Sequence, residues 1–255
     1  MKVAFPSHVD PDYDSTGVAE VKFQLVNMRG DYVFKFFDCH LQFPTCEVKA
    51  QSEVVKVDDP NAPLKPRVLP YVRDDPTKIL LMWSSNQGPS SDEQSTDSVN
   101  SDPKGAVVEW GTEKGNLENI VKANSSRYTN EDMCGGPAVA EGYRDMGWIH
   151  QAVLTDLPPG EEVYYRFGNN AGGGEGGSKM SDIEELRVPP KVGTPGTQLF
   201  LYGDMGVGSD DDSEVWREYG SPALNTSLLL EKQILDGWGH GVFHIGDIVS
   251  PFEPE

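Results

Sequence analysis

The sequence predicts a mainly β protein, a β-sandwich followed by a single βαβ unit. Three observations predict it. Short runs of alternating apolar and polar side chains recur along the first two thirds of the chain, with turn residues between them. The 255 residues include 27 glycines and 19 prolines, a turn-rich composition that favours short strands over long helices. Near residue 198 the pattern changes, and two short apolar runs flank a stretch with helical spacing.

Each element follows from its own residues. VKFQLV (21–26) and YVFKFF (32–37) alternate on either side of the turn residues NMRGD, so the pair reads as a β-hairpin. Residues 57–76, rich in Pro and Asp, read as a linker. KILLMWS (78–84) is a continuous apolar run that suits a sandwich-core strand, and the Ser/Asp-rich stretch 85–105 reads as a long exposed loop. AVVEWG (106–111), WIHQAVL (148–154) and VYYRF (163–167) are further strands, with a Leu157-Pro158-Pro159-Gly160 turn before the last. The run LPPGEEVYYRFG resembles the corner between two late strands of a fibronectin type III module. AGGGEGG (171–177) reads as a flexible tip. QLFLY (198–202) and GVFHI (241–245) are the two strands of the βαβ unit. Residues 222–236 form its helix, with Pro222 at the start and Gly237 just past the end.

Charge narrows the function classes. Twenty-one Lys and Arg against 41 Asp and Glu leave a net charge of −20. That argues against binding the nucleic-acid backbone or an anionic membrane, both of which are attracted by clustered cations. No stretch approaches 18 apolar residues, so no membrane span is expected. MKVAFPSHVDPDYDSTG lacks an apolar core, so no signal peptide is expected either. Three cysteines do not make a disulfide framework; Cys39 and Cys46 either close a small loop in an oxidising compartment or stand as free thiols, with Cys134 alone. Asn124 and Asn225 head glycosylation sequons.

The chemistry concentrates at two strand ends. Asp204 and Asp247 each follow an apolar strand and a glycine. In an open α/β sheet, ligands collect outside the carboxyl ends of the strands. Neighbouring parallel strands would bring these carboxylates to roughly 5 Å, one strand spacing. Such a pair repels itself unless it takes a proton or a cation. It can therefore hold metal ions, or, on the other reading, each Asp caps a loop or the following helix. His240 and His244 stand four apart, but on a strand they need not converge; His244 and His150 read as packed side chains. Asp210, Asp211 and Asp212 read as a solvated acidic loop.

At these residues the chain resembles the purple acid phosphatases, specifically the large plant-type group. VKFQLVNMRGDYVFKFF is similar to that group's first β module, MCGGPAVAEGYRDMGWIH (133–150) to its middle segment, and YGDMGVG and VFHIGDI to the first two blocks of its metallophosphoesterase domain. LNTSLLL matches the intervening helix. The resemblance implies three parts: a partial N-terminal β module (1–62), a fibronectin type III-like domain (63–195) and the start of an incomplete α/β metallophosphoesterase domain (196–255). It implies acid phosphatase activity on phosphate monoesters at a dinuclear centre of iron(III) plus divalent iron, zinc or manganese. Asp204 would correspond to an iron(III) ligand and Asp247 to the bridging carboxylate. The resemblance also implies secretion, with a homodimer as one arrangement to test.

Departures from the family pattern set a further expectation. The family's Gly-Asp-x-x-Tyr carries Ser250 here in place of the tyrosine ligand, and the later histidine blocks are absent. Carboxylates without histidines hold a transition metal poorly. The chain is thus expected to be truncated within the catalytic domain, with negligible activity. The alternative function is a non-catalytic β-sandwich module for dimerisation or partner binding.

Overall fold

The computed structural model describes residues 4–40, 45–72, 75–88, 105–140, 143–170, 179–204, 211–213 and 220–246. They belong to two units, Met1–Val26 with Gly193–Glu255, and Asn27–Val192. Two single-turn helices, α1 (Pro6–Val9) and α2 (Tyr13–Thr16), precede β1 (Lys35–His40), β2 (Thr45–Gln51), β3 (Leu64–Val72), β4 (Asp75–Ser85) and β5 (Gly105–Gly111). Then come β6 (Asn119–Lys122), β7 (Asn124–Ser126), α3 (Pro137–Ala140), β8 (Trp148–Leu154), β9 (Glu162–Asn170), β10 (Lys179–Met180) and β11 (Glu184–Arg187). The chain continues with β12 (Leu199–Tyr202), α4 (Gly220–Leu235) and β13 (Gly241–His244).

Within Asn27–Val192 the expected sandwich forms. One sheet has the order β3-β4-β8-β7; the other has β10-β9-β5-β6, with β11 also on β9. All the pairings in both sheets are antiparallel. Alternation sends every second side chain inward. Ile79, Leu81 and Trp83 of β4 and Ala152 and Leu154 of β8 meet Ala106, Val108 and Trp110 of β5 and Val163, Tyr165 and Phe167 of β9 in one buried cluster. The Trp83 ring lies 5.2 Å from His150 and 5.5 Å from Phe167, centroid to centroid.

The structure differs from the sequence reading at two places. Residues 21–26 form no strand. The amides of Lys22 and Gln24 donate instead to the carboxylates of Asp212 and Asp211, both at 2.6 Å. Side-chain oxygens thus satisfy the alternate N–H groups that a partner strand would take. The run at 32–37 enters β1, which pairs with β2 and not with 21–26. The supposed linker 57–76 contains β3. Its Pro66 and Pro70 are tolerated because β3 is an edge strand and needs only one row of ladder bonds. The Ser/Asp-rich loop, apart from its first and last few residues, and the glycine-rich tip lie outside the described residues.

Two polar groups organise the sandwich. His150 is 0% exposed, with Nε2 2.8 Å from Ser85 Oγ and Nδ1 2.8 Å from Ser125 Oγ. Ser85 donates its own proton to the Gln87 carbonyl, so Nε2 carries the hydrogen and Nδ1 accepts from Ser125. Burial away from water favours the neutral imidazole. Arg29 donates to the carbonyls of Met146, Pro60 and Ala62 and to Ser84 Oγ, gathering three separate segments onto one guanidinium. Burial, reinforced by the Arg29 charge, pushes the His150 pKa down from 6.5 to about 4. Between those values the unfolded chain binds more protons than the folded one. The stability this contributes is complete above about pH 6.5 and is lost as pH falls towards 4, by at most about 1.4 kcal/mol per pH unit. Denaturant titrations from pH 7 to 4.5 should show this slope. In His150→Gln the slope should flatten, whereas an unchanged slope would assign the pH dependence elsewhere.

Candidate functional site

The candidate site sits at the carboxyl end of β12, in the unit Met1–Val26 with Gly193–Glu255. β12 and β13 pair in parallel, from Leu199↔Gly241 to Tyr202↔His244. The amide of Ile245 donates to the Tyr202 carbonyl at 2.7 Å, which carries the pairing one step further. Gly203 then lies so close to the Ile245 carbonyl that a side chain there would collide with it. This tight approach needs glycine at 203. α4, the helix between the strands, closes with a Schellman motif. Gly237 is left-handed (φ 82°), its amide reaches Ile234, and the Trp238 amide reaches Gln233.

Asp204 leaves the strand in the left-handed region, φ 48°, and its side chain is exposed. Its two carboxylate oxygens each lie 2.9 Å from where a Cβ on residue 246 would stand, and Gly246 has φ 97°. The carboxylate of one strand end therefore rests against the glycine of the next, directly before Asp247 in sequence. Asp247 itself lies outside the described residues, as do Asp210 and Ser250.

The strand histidines serve other ends. His240 accepts the Gln198 amide on Nδ1 at 3.0 Å, and its own amide donates to the Gln198 carbonyl at 2.7 Å, which sets the register of the two strands. The His244 ring packs 4.8 Å from Tyr202, and its Nε2 is buried with no hydrogen-bond partner among the described residues. No three His, Cys, Asp or Glu side chains come together as a metal-binding group among the described residues. A centre of iron(III) with a divalent partner needs imidazole as well as carboxylate donors. Here the described donor is one carboxylate, while His240 Nδ1 is engaged by the Gln198 amide and His244 Nε2 is buried. The residues described do not fit such a centre, and no chemical step is derived through it.

Sequence reasoning missed the contact between Asp204 and Gly246. It also missed the role of Asp211 and Asp212, which bind backbone rather than standing in solvent. Both sequon asparagines are exposed, Asn124 on β7 and Asn225 on α4. Cys39 and Cys46 form a disulfide, and Cys134 is free. No helix among the described residues is long and apolar enough to cross a membrane.

An antiparallel sandwich and, in a separate unit, a βαβ element that ends its first strand in Gly-Asp make a two-part architecture. Comparison with known proteins gives the family. Residues 66–187 match the sequence model described as "Purple acid Phosphatase, N-terminal domain". The chain is 31% identical over 249 residues to "Probable inactive purple acid phosphatase 1" of Arabidopsis thaliana, covering 97% of this chain and 37% of that protein. It is 33% identical over 239 residues to "Probable inactive purple acid phosphatase 27" of the same plant, covering 93% and 36%. The solved structure of purple acid phosphatase PPD1 from yellow lupin (Lupinus luteus) seeds superposes with a TM-score of 0.77 at 29% identity, over 97% of this chain and 40% of that one. Residues 66–187 thus carry the N-terminal domain of the purple acid phosphatases, and nearly the whole chain is similar to members of that family. The chain spans well under half the length of the relatives it matches.

The Asp204–Gly246 contact makes a direct prediction. Gly246→Ala forces a side chain into the carboxylate and into a left-handed backbone that costs about 1–2 kcal/mol for a non-glycine residue. Hydrogen exchange at β12 and β13 should accelerate accordingly, and Gly237→Ala, where a Cβ meets open space, should pay the backbone cost alone. Equal effects in the two variants would remove the contact from the account.

Proposed function

We propose that this chain is the non-catalytic frame of a metal-dependent phosphomonoesterase. Its sandwich, over residues 63–195, is the accessory domain, and residues 196–255 provide the first strand–helix–strand of the hydrolytic domain. In this reading Asp204 and Asp247 are the two carboxylates that this chain would offer to the family's dinuclear metal site. This chain's own residues contribute position: Gly203 and Gly246 let the two strand ends close up, and the Gln198–His240 pairing fixes their register.

The observation that carries the proposal is the placement of the Asp204 carboxylate against Gly246, at the carboxyl end of a parallel pair. The names of the Arabidopsis relatives, which describe them as probably inactive, point the same way. The Cys39–Cys46 bridge supports an oxidising, extracellular setting, with Asn124 and Asn225 as glycosylation sites.

On this reading the purified chain, supplied with iron and zinc, cleaves p-nitrophenyl phosphate at pH 5 no faster than the metal salts alone. Turnover of about 1 s⁻¹, the low end of ordinary enzyme rates, that disappears in Asp204→Asn would show a working centre and overturn the proposal.

A further inference from the structure

The hairpin β1–β2 stands apart from both sheets of the sandwich. It is a two-stranded sheet whose strands pair only with each other among the described residues. It also lacks an apolar core of its own: Phe36 is 48% exposed, Phe37 45% and Val48 48%. Two strands with no third strand and no packed face are at best marginally stable in water. One covalent bond offsets that. Cys39 and Cys46 are directly opposed in the register and form a disulfide, with their Cα atoms 4.2 Å apart. Both cysteines are exposed. The adjacent pair, Asp38 opposite Glu47, places two carboxylates face to face, and Lys49 bridges them at 3.8 and 2.8 Å. An exposed bridge of this kind adds little on its own.

We propose that the Cys39–Cys46 disulfide is a reducible clasp: a dithiol opens it and the hairpin β1–β2 unpairs, while the sandwich stays folded. The reaction is thiol–disulfide exchange. A thiolate of the dithiol attacks one exposed sulfur, the Cys39–Cys46 bond breaks, and the displaced cysteine leaves as a thiolate and takes up a proton. The second thiol of the reagent then attacks the mixed disulfide. The reagent leaves as its own disulfide, and two electrons and two protons have passed to the protein. Two features make the effect local. The buried cluster of the sandwich draws on β4, β5, β8 and β9 and on no residue of the hairpin. The bridge closes a short loop, with a sequence separation of seven, so its constraint acts chiefly on the strands it joins. The inference is independent of the phosphatase reading, since it uses no residue of the strand-end site.

The test uses the full chain carrying Cys134→Ser, so that the free thiol does not exchange. Backbone hydrogen exchange is followed by mass spectrometry in peptides covering 35–40 and 45–51. It is measured in the oxidised protein, after dithiothreitol under native conditions, and in a Cys39→Ser/Cys46→Ser variant. Reduction should cost the hairpin amides on the order of 50-fold in protection, the scale of the loop-closure constraint for a short loop. The double variant should behave as the reduced form does, reoxidation should restore protection, and β4, β5, β8 and β9 should be unaffected throughout. Equal hairpin protection with and without the bond would overturn the proposal. So would a bond that resists dithiothreitol until the sandwich itself unfolds, or a loss of protection that spreads to the sandwich strands.

Discussion

Packing of the Trp83 ring against His150 and Phe167 is the contact on which the sandwich depends. It joins β4 and β8 of one sheet to β9 of the other, at the centre of the only large buried cluster among the described residues. A histidine can occupy that place only as the neutral imidazole, because a charge there would be far from water. The hydroxyls of Ser85 and Ser125 satisfy both ring nitrogens and so make the burial tolerable. Arg29 extends the same logic to the sandwich margin, where four acceptors converge on one planar cation.

The strand-end unit rests on a different balance. Leu199, Leu201, Phe243 and Ile245 share one face of the parallel pair, and they are 50%, 63%, 49% and 59% exposed. On α4, Leu228, Leu229, Ile234 and Leu235 are also largely exposed. Parallel sheets are ordinarily covered on both faces. The local geometry of the unit is nevertheless well specified: the Schellman close of α4, the clamp of His240 on Gln198, and the two glycines that let the strand ends approach. The unit thus fixes where Asp204 stands more firmly than its burial alone would hold it.

Much of this was legible in the sequence. The core strands announced themselves because burial on one or both faces leaves a plain apolar signature, as in KILLMWS, WIHQAVL and VYYRF. The βαβ unit was legible from helix punctuation, with Pro222 and Gly237 at the ends of a periodic stretch. The errors came where local pattern and long-range pairing compete. VKFQLV alternates as a strand does, yet its amides are taken by Asp211 and Asp212, nearly 190 residues away. The prolines of β3 looked like a linker because a sequence does not mark which strand lies at an edge. For the candidate site, the two Gly-Asp pairs gave Asp204 its place. The register that sets its carboxylate on Gly246 is a property of the pairing and leaves no local trace.

The sandwich carries a buried core, while the strand-end unit carries a positioned carboxylate on little buried surface. Native-state hydrogen exchange on the intact chain, read residue by residue against denaturant, tests it most directly. The account predicts that amides of β4, β5, β8 and β9 exchange only through global unfolding, whereas those of β12, α4 and β13 open at a much lower free energy and with a small denaturant dependence. If both sets exchange together at the global free energy, the strand-end unit is as firmly held as the sandwich, and the claim is wrong.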